Sequence, residues 1–387
     1  MKPNKSLQAL IVSVVLFIFA LSLFLPPLMR VQAETSITYT SEPDEIAIFL
    51  NNIAFAQDEI ALPGGADVAI VLPPQVFADT VVLRRNDERV ANYRIQREAD
   101  RVTVRWHSDD SDEAVEEITL TYLLAGLGWT PRYDMWLADD SEMVGFDFFA
   151  EIANNVFTLD DVDLSLIAGR VDTTQQVDTI SQVTPNQYIA GYEDTVAQPA
   201  AFSGQVSIQH VYTIGPVSAQ PGEVIYRQMT AADLPARRVF LWNAQTDQQV
   251  DVIYKIRNET DIPFSEGIVR SYQDELFIGS DFIELTPVGG EGSVTVGTLQ
   301  DVRVNRSVTR TAISSTVRQD TQYDITLSLT NFGPEAVTIE VADQYPADAI
   351  DFTFSQDPER QGGNLFRWEV TLEPGDSQVI TYGYQAD

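Results

Sequence analysis

The sequence predicts an all-β protein made of several antiparallel β-sandwiches, with an immunoglobulin-like unit at its C-terminus. Short apolar runs separated by turn residues extend along most of the chain, and apolar and polar residues alternate over 323–330. No long stretch keeps the 3.6-residue period of an amphipathic helix. Alternation puts every second side chain on one face of a strand, which is typical of antiparallel sheets with one buried face.

The N-terminal segment has the features of a secretory signal peptide. Lys2 and Lys5 precede an apolar run over 7–25, and residues 31–33 offer small side chains to a signal peptidase. We therefore expect a signal peptide over 1–33. Because the run is nearly long enough to span a bilayer, an uncleaved membrane anchor is the alternative. Either outcome predicts an extracytoplasmic location: secreted, periplasmic or at the cell surface.

The composition disfavours several classes of function. The formal net charge is −33, so the chain lacks the basic surface that nucleic-acid binding needs. The same charge repels anionic lipid headgroups, which leaves the N-terminal segment, if uncleaved, as the expected membrane contact. The sequence has no cysteine, which excludes disulfides, thiolate catalysis and Cys-ligated metals.

Four regions follow the N-terminal segment. Residues 34–110 carry closely spaced apolar runs and Pro/Gly turns, which predict an N-terminal β-domain. Strand-like sequence over 111–170 and 226–310 predicts a central β-domain. Between them, 171–225 has no Lys or Arg and weak periodicity, which indicates a flexible linker or surface excursion. Clean alternation with Pro/Gly turns over 311–387 predicts the immunoglobulin-like β-sandwich.

The stretch YLLAGLGWTPRYDMWL, over 122–137, is the landmark of the central region. Trp129, Pro131 and Tyr133 alternate on one face after a Gly-Leu-Gly break, and Trp136 is a further landmark of the same stretch, for packing or for a partner. Large aromatics dominate β-sandwich cores, so we interpret the first three as core residues. An exposed aromatic platform for sugars, or a contact for a partner, is the alternative interpretation.

Five segments stand in a characteristic order: YLLAGLGWTPRY at 122–133, DVDLSL at 161–166, RNETDIPFSEGIVRSY at 257–272, FIGSDF at 277–282 and GTLQDVRVNR at 297–306. This ordered set resembles the mucoidy-inhibitor-like proteins, whose C-terminal region is catalogued as domain of unknown function 4139. Residues 46–83 resemble that family's N-terminal β-domain. The family's coiled-coil insertion is not visible here, and Leu159 stands where a family tryptophan precedes the Asp-Val segment.

The resemblance implies a mostly-β extracytoplasmic protein without an assigned enzymatic activity. It also implies a role at the cell envelope or in exopolysaccharide physiology. Because the coiled coil is not visible, partner binding through such a helix is not carried over.

Residues suited to catalysis or metal binding are few. His107 and His210 are the two histidines, neither has a second His at zinc-ligand spacing, and no Gly-x-Ser-x-Gly elbow occurs. We therefore expect no catalytic residue, no metal and no cofactor.

Acidic residues are densest near two turns, and we interpret them as solvated loop acids. A Ca²⁺ site is the sharper alternative, although no Asp-x-Asp-x-Asp-Gly loop is present, and counting does not exclude a glycosidase with paired carboxylates. These residues are Asp139, Asp140, Glu142, Asp160, Asp161 and Asp163.

Arg303, Arg306 and Arg310 form a local basic strand, which we expect to pair with neighbouring carboxylates; a docking patch for an anionic partner is the alternative. Glycosylation sequons begin at Asn258 and Asn305, a pattern that often arises by chance.

These observations predict an exported, non-enzymatic β-sandwich protein that acts as a binding or scaffolding module at the cell envelope. The expected partner is an envelope protein or a polysaccharide. The alternative is a carbohydrate-binding or weakly carbohydrate-active module for surface polysaccharide. An aromatic row exposed on one sheet face would favour this alternative.

Overall fold

The computed structural model describes residues 36–386 except 63–64, 108–114, 139–141, 172–200, 207–208 and 315–318. The predicted signal peptide lies outside these residues. The regular structure in the described part consists of β-strands and one short 3₁₀ helix at Ala78–Thr80, which confirms the predicted all-β class. No helix in that part is long and apolar enough to cross a membrane.

The strands are numbered in chain order. The first nine are β1 (Ser36–Thr40), β2 (Glu45–Phe49), β3 (Ile53–Leu62), β4 (Asp67–Leu72), β5 (Val82–Arg85), β6 (Glu88–Arg89), β7 (Arg94–Arg97), β8 (Val102–His107) and β9 (Glu116–Ala125). The next ten are β10 (Leu127–Leu137), β11 (Met143–Asn154), β12 (Leu159–Ala168), β13 (Ala201–Val206), β14 (Gln209–Ala219), β15 (Val224–Asn243), β16 (Asp251–Arg257), β17 (Gly267–Gln273), β18 (Leu276–Ile283) and β19 (Glu291–Thr298). The last seven are β20 (Val302–Ser314), β21 (Gln319–Asn331), β22 (Val337–Gln344), β23 (Ile350–Phe354), β24 (Glu359–Gln361), β25 (Leu365–Leu372) and β26 (Ser377–Ala386).

The N-terminal part is a sandwich of two sheets. One has the order β1-β4-β8-β7 and the other β13-β14-β12-β2-β3-β9-β5-β6. Alternation explains the packing, because Val68, Ile70 and Leu72 on β4 are buried while their neighbours are half-buried. The second sheet also contains β12 and β14, so strands distant in sequence complete the N-terminal sandwich.

Seven strands enclose the central core. Strands β18, β17, β10, β11 and β15 follow one another in one sheet, and the far half of β15 pairs with β16, which pairs with β19. Strand β19 returns beside β18, where the backbone N–H of Thr295 donates to the Asp281 carboxylate at 2.6 Å. The seven strands form a barrel-like sheet, and a hydrogen bond between a side chain and the backbone joins β18 to β19 where the sheet closes.

The C-terminal part is a second two-sheet sandwich. Strands β22, β25 and β24 form one sheet, and β20-β21-β26-β23 form the other. The end of β15 joins the first sheet through parallel pairing with β22, from Phe240 opposite Ile339 to Asn243 opposite Ala342. A separate hydrophobic core, which includes Trp242, Phe366 and Trp368, lies between these sheets.

The prediction of a linker or surface excursion over 171–225 is wrong for 209–219, which form β14. This strand pairs with β12 over most of its length, and Tyr212 and Ile214 are buried. The apolar alternation of this strand is short, because Gly215 and Pro216 follow near a register shift. The sequence pattern therefore gave little indication of a strand. Residues 172–200 lie outside the described part of the chain.

Candidate functional site

The landmark strand β10 has two different faces. Trp129 is 2% exposed and donates its Nε1–H to the carbonyl of Ile167 at 3.1 Å. Tyr133 is fully buried, with Phe146 and Phe148 stacked on it at centroid distances of 5.3 and 4.6 Å. Pro131 is buried between them in the alternation. These three residues therefore belong to the core, as the sequence predicted.

Trp136 points the opposite way and is 43% exposed. Its indole stacks on the half-buried Tyr272 of β17, with ring centroids 4.6 Å apart, and donates Nε1–H to Asp147 of β11 at 2.9 Å. Phe277 of β18 meets Tyr272 edge-on at 5.8 Å and is 59% exposed. Three neighbouring strands thus carry one aromatic row that reaches solvent.

A second group of exposed residues shares this surface. The register places Arg132, Ile268 and Phe282 opposite one another on β10, β17 and β18. Ile268 and Phe282 are each 52% exposed, and Tyr226 on β15 is 54% exposed. We call this outer face of β18, β17, β10, β11 and β15 the wall. Contiguous exposed apolar residues of this kind are typical of interaction sites.

Two aromatic rings of the wall, Trp136 and Tyr226, each have one face covered by a neighbouring side chain. Tyr272 covers one side of Trp136, with the two ring centroids 4.6 Å apart. The guanidinium of Arg132 lies over the ring of Tyr226, 5.6 Å from its centroid. These rings are therefore packed against neighbouring groups, and their edges contribute to the exposed surface.

Charged residues cross the middle of the wall in one line. The register places Asp134 of β10 between Arg270 of β17 and Asp147 of β11. Asp134 is 8% exposed and accepts a hydrogen bond from Arg132 at 3.1 Å. Among the described residues, neither Arg270 nor Asp147 forms an ion pair. Like charges opposite each other destabilise a strand pair, and Asp147 lies opposite Asp134 without an ion pair to a described residue.

The tyrosine at the edge of the wall has an altered acidity. Burial of part of the Tyr226 phenol raises its pKa, and the neighbouring Glu151 carboxylate adds to the effect. Tyr226 therefore stays protonated at neutral pH and can act as a hydrogen-bond donor.

The predicted acidic and histidine candidates are dispersed. Asp160, Asp161 and Asp163 are exposed on β12, and His107 accompanies Asp67 at 2.8 Å on the exposed end of β8. His210 is half-buried on β14. Within the described ranges, no three His, Asp or Glu side chains are placed so that they could hold a metal ion together. Asp139 and Asp140 lie outside these ranges.

A shallow groove of about 330 Å³ gathers the carboxylates Glu59, Asp87 and Glu117 on the N-terminal sandwich. Aliphatic and small polar residues complete its lining, without an aromatic ring or a histidine. The groove therefore lacks a stacking surface for a sugar, and the wall is the stronger candidate site.

The basic strand β20 has several kinds of contact. Arg306 donates to Asp343 at 2.8 Å, which confirms the predicted pairing with a carboxylate for this residue. The described contacts of Arg303 and Arg310 are with aromatic rings, Phe332 at 5.3 Å and Tyr323 at 5.6 Å.

The two sequons differ in accessibility. Asn258 is fully buried and donates to the carbonyls of Ile262 and Thr286. Asn305 lies exposed on β20. Only the second therefore presents its amide to solvent.

The exposure of Ile268, Phe277 and Phe282 was not predicted from the sequence. The segment FIGSDF indicates a strand, but its apolar residues do not keep a single parity. A register shift between Ser271 and Tyr272 brings Phe277 and Phe282 to the same face of the sheet.

The family described as Domain of unknown function (DUF4139) matches residues 118–387, which is more than half of the chain and includes the whole wall. No curated protein matches the sequence. The chain therefore belongs to the family described as Domain of unknown function (DUF4139).

Proposed function

We propose that this is an exported, non-enzymatic protein that acts as a binding or scaffolding module at the cell envelope, with the wall as its contact surface. The observation that carries the proposal is the exposed group of Trp136, Phe277, Ile268, Phe282 and Tyr226 on neighbouring strands. Aromatic and arginine side chains are enriched in the centres of protein interfaces. The wall combines both types on a rigid sheet.

The location is part of the proposal. The apolar run after Lys2 and Lys5 supports export, and any membrane contact would run through that segment. The ordered segments over 122–306 also support a finer assignment to the mucoidy-inhibitor-like proteins, and with it a role in envelope or exopolysaccharide physiology.

Carbohydrate binding is the second candidate, and the exposed aromatic row specifically favours it. Sugar-binding platforms stack the apolar face of a pyranose on an open ring. In the wall, Trp136 and Tyr272 stack on each other and Arg132 covers Tyr226. The occupied ring faces support a protein partner over a saccharide.

The test is a pull-down from envelope fractions with the tagged chain from residue 34 onward, and with purified exopolysaccharide as a parallel bait. We compare the parent protein with Phe282→Ser, which changes the wall, and with Phe332→Ser on the C-terminal sandwich, where the phenylalanine is 64% exposed against 52% for Phe282. A stoichiometric protein partner lost only with Phe282→Ser supports the proposal.

Saturable saccharide retention that Trp136→Ala abolishes would instead favour the second candidate. Retention of neither bait by a folded protein would refute both. Circular dichroism of each variant checks that the sheets remain folded.

A further inference from the structure

We infer that the wall binds a second copy of this chain, face to face, around a two-fold axis that lies in the interface parallel to β10. The inference rests on the proposed function, because it names the partner of the same surface. It follows from the order of charges across the wall and from the apolar residues on either side of them.

Two residues of opposite charge lie at equal distances on either side of β10. Arg270 lies one strand away on β17, and Asp147 lies one strand away on β11, both opposite Asp134. Neighbouring strands are spaced about 4.8 Å apart, so the two backbones are roughly 10 Å apart. Both side chains are half-buried, and neither forms an ion pair with a described residue.

A two-fold rotation about an axis parallel to β10 places β17 of one subunit over β11 of the other. It leaves the position of each residue along the strand direction unchanged. Arg270 of one subunit then faces the partner subunit's Asp147, and the symmetry repeats the contact in the other direction. The rotation therefore supplies a cation to Asp147, which lies opposite another carboxylate within its own chain. Two reciprocal ion pairs fix the register of the dimer.

The same rotation brings apolar residues together. Trp136 lies on β10, next to the axis, and its exposed edge meets its symmetry mate. The rotation also places Ile268 of β17 opposite the half-buried Phe149 on β11 of the partner subunit, because both residues lie opposite Arg132 within the sheet. The axis parallel to β10 keeps the strands of the two subunits nearly aligned, as they are in face-to-face sheet packing.

Other occupants fit these residues less well. A saccharide would find one face of each of the Trp136, Tyr272 and Tyr226 rings already covered. A second copy places a carboxylate opposite Arg270 and a cation opposite Asp147.

The experiment is sedimentation equilibrium of the purified chain from residue 34 onward at micromolar concentrations. We expect a reversible dimer. Arg270→Asp and Asp147→Arg should each raise the dissociation constant by at least about tenfold, because each reversal produces two repulsive contacts. The double variant Arg270→Asp/Asp147→Arg should recover most of the affinity, since it exchanges the charges and keeps the pairing.

Phe282→Ser is a second probe of the wall that leaves these charges intact, and Phe332→Ser is its matched control away from the wall. We expect the first to weaken the dimer and the second to leave it unchanged. A chain that is monomeric at every concentration overturns the inference. So does a dimer that the Arg270, Asp147 and Phe282 variants leave unaffected.

The outcomes for dimer and function are separable. A monomer that captures an envelope protein through the wall retains the proposed function and removes the dimer. A dimer that captures neither bait retains the dimer and refutes the proposed function. A monomer that binds only exopolysaccharide, through Trp136, assigns the wall to carbohydrate binding and refutes the dimer.

Discussion

Arg306 and Asp343 form an ion pair across the interior of the C-terminal sandwich, with Nε and Oδ2 2.8 Å apart. Arg306 lies on β20 and Asp343 on β22, so the pair joins the two opposing sheets. The Tyr382 hydroxyl donates to the same Oδ2 at 2.8 Å. Burial raises the pKa of Asp343, and the Arg306 guanidinium opposes that effect.

Breaking this pair should destabilise the sandwich strongly. Because Asp343 is fully buried, Arg306→Met leaves a carboxyl group without its cation and should cost about 3–5 kcal/mol. The double variant Arg306→Met/Asp343→Leu should lose less, since both charges are gone. Urea unfolding followed by tryptophan fluorescence measures both, and equal losses would contradict the prediction.

The hydroxyl group of Tyr133 should contribute measurably to the free energy of unfolding. The Tyr133 hydroxyl donates to the buried carbonyl of Ser265 at 2.7 Å. Tyr133→Phe removes the donor and leaves that carbonyl unsatisfied, which should lower the free energy of unfolding by about 1–3 kcal/mol. Tyr272→Phe is the matched control, because Tyr272 is half-exposed on the wall, and we expect a change within about 0.5 kcal/mol. Similar losses for the two variants would show that the hydrogen bond contributes nothing.

Stability should depend on pH through Asp58. This carboxylate is 1% exposed and accepts hydrogen bonds from Ser41 Oγ at 2.7 Å and from the Glu42 amide at 3.1 Å. Burial raises its pKa above the ordinary value, and these hydrogen bonds offset only part of the rise. The folded state therefore holds this proton more tightly than the unfolded state does. The resulting stabilisation is fully present below the unfolded pKa and is lost as pH rises through the folded pKa.

Asp58→Asn removes this titration and isolates the effect. We expect the Tm of the parent protein, relative to that of Asp58→Asn, to fall as pH rises from about 4 to about 7. Differential scanning calorimetry at several pH values gives the two curves. A constant difference between them would contradict the assignment to Asp58.

The two sequon asparagines should respond differently to the same substitution. Asn258 donates to two carbonyls, at 2.9 and 3.2 Å, and accepts from Thr260 Oγ1 at 2.7 Å. In Asn258→Asp a carboxyl group would face those two carbonyls, so we expect a loss of several kcal/mol, more than the ~1–3 kcal/mol of one unsatisfied buried group. Asn305→Asp should change stability by less than about 0.5 kcal/mol because Asn305 is exposed. Thermal melts of both variants test this, and equal Tm values would refute it.

The sequence was informative where one face of a strand is buried and the other is solvated. Ile118, Leu120, Tyr122 and Leu124 alternate with less buried neighbours and predicted β9, and Ile325, Leu327 and Leu329 predicted β21 in the same way. Their periodicity follows directly from the two-residue repeat of a strand. The burial of Trp129 and Tyr133 followed from the same alternation.

Other features depend on contacts that no local pattern records. Strand β14 is specified by its pairing with β12, and part of the chain lies between them. On β18 the register shift near Tyr272 changes the parity, so Phe277 and Phe282, five positions apart, share the solvent face. Which side of β17 and β18 faces water is decided by closure of the central barrel. The wall was therefore not predictable, although each of its strands was.

Strand β15 is continuous from the barrel into the C-terminal sandwich. Its first half pairs with β11, its second half with β16 and, at the end, with β22. A load applied to the C-terminal sandwich would therefore reach the barrel along one extended backbone that hydrogen bonds hold laterally.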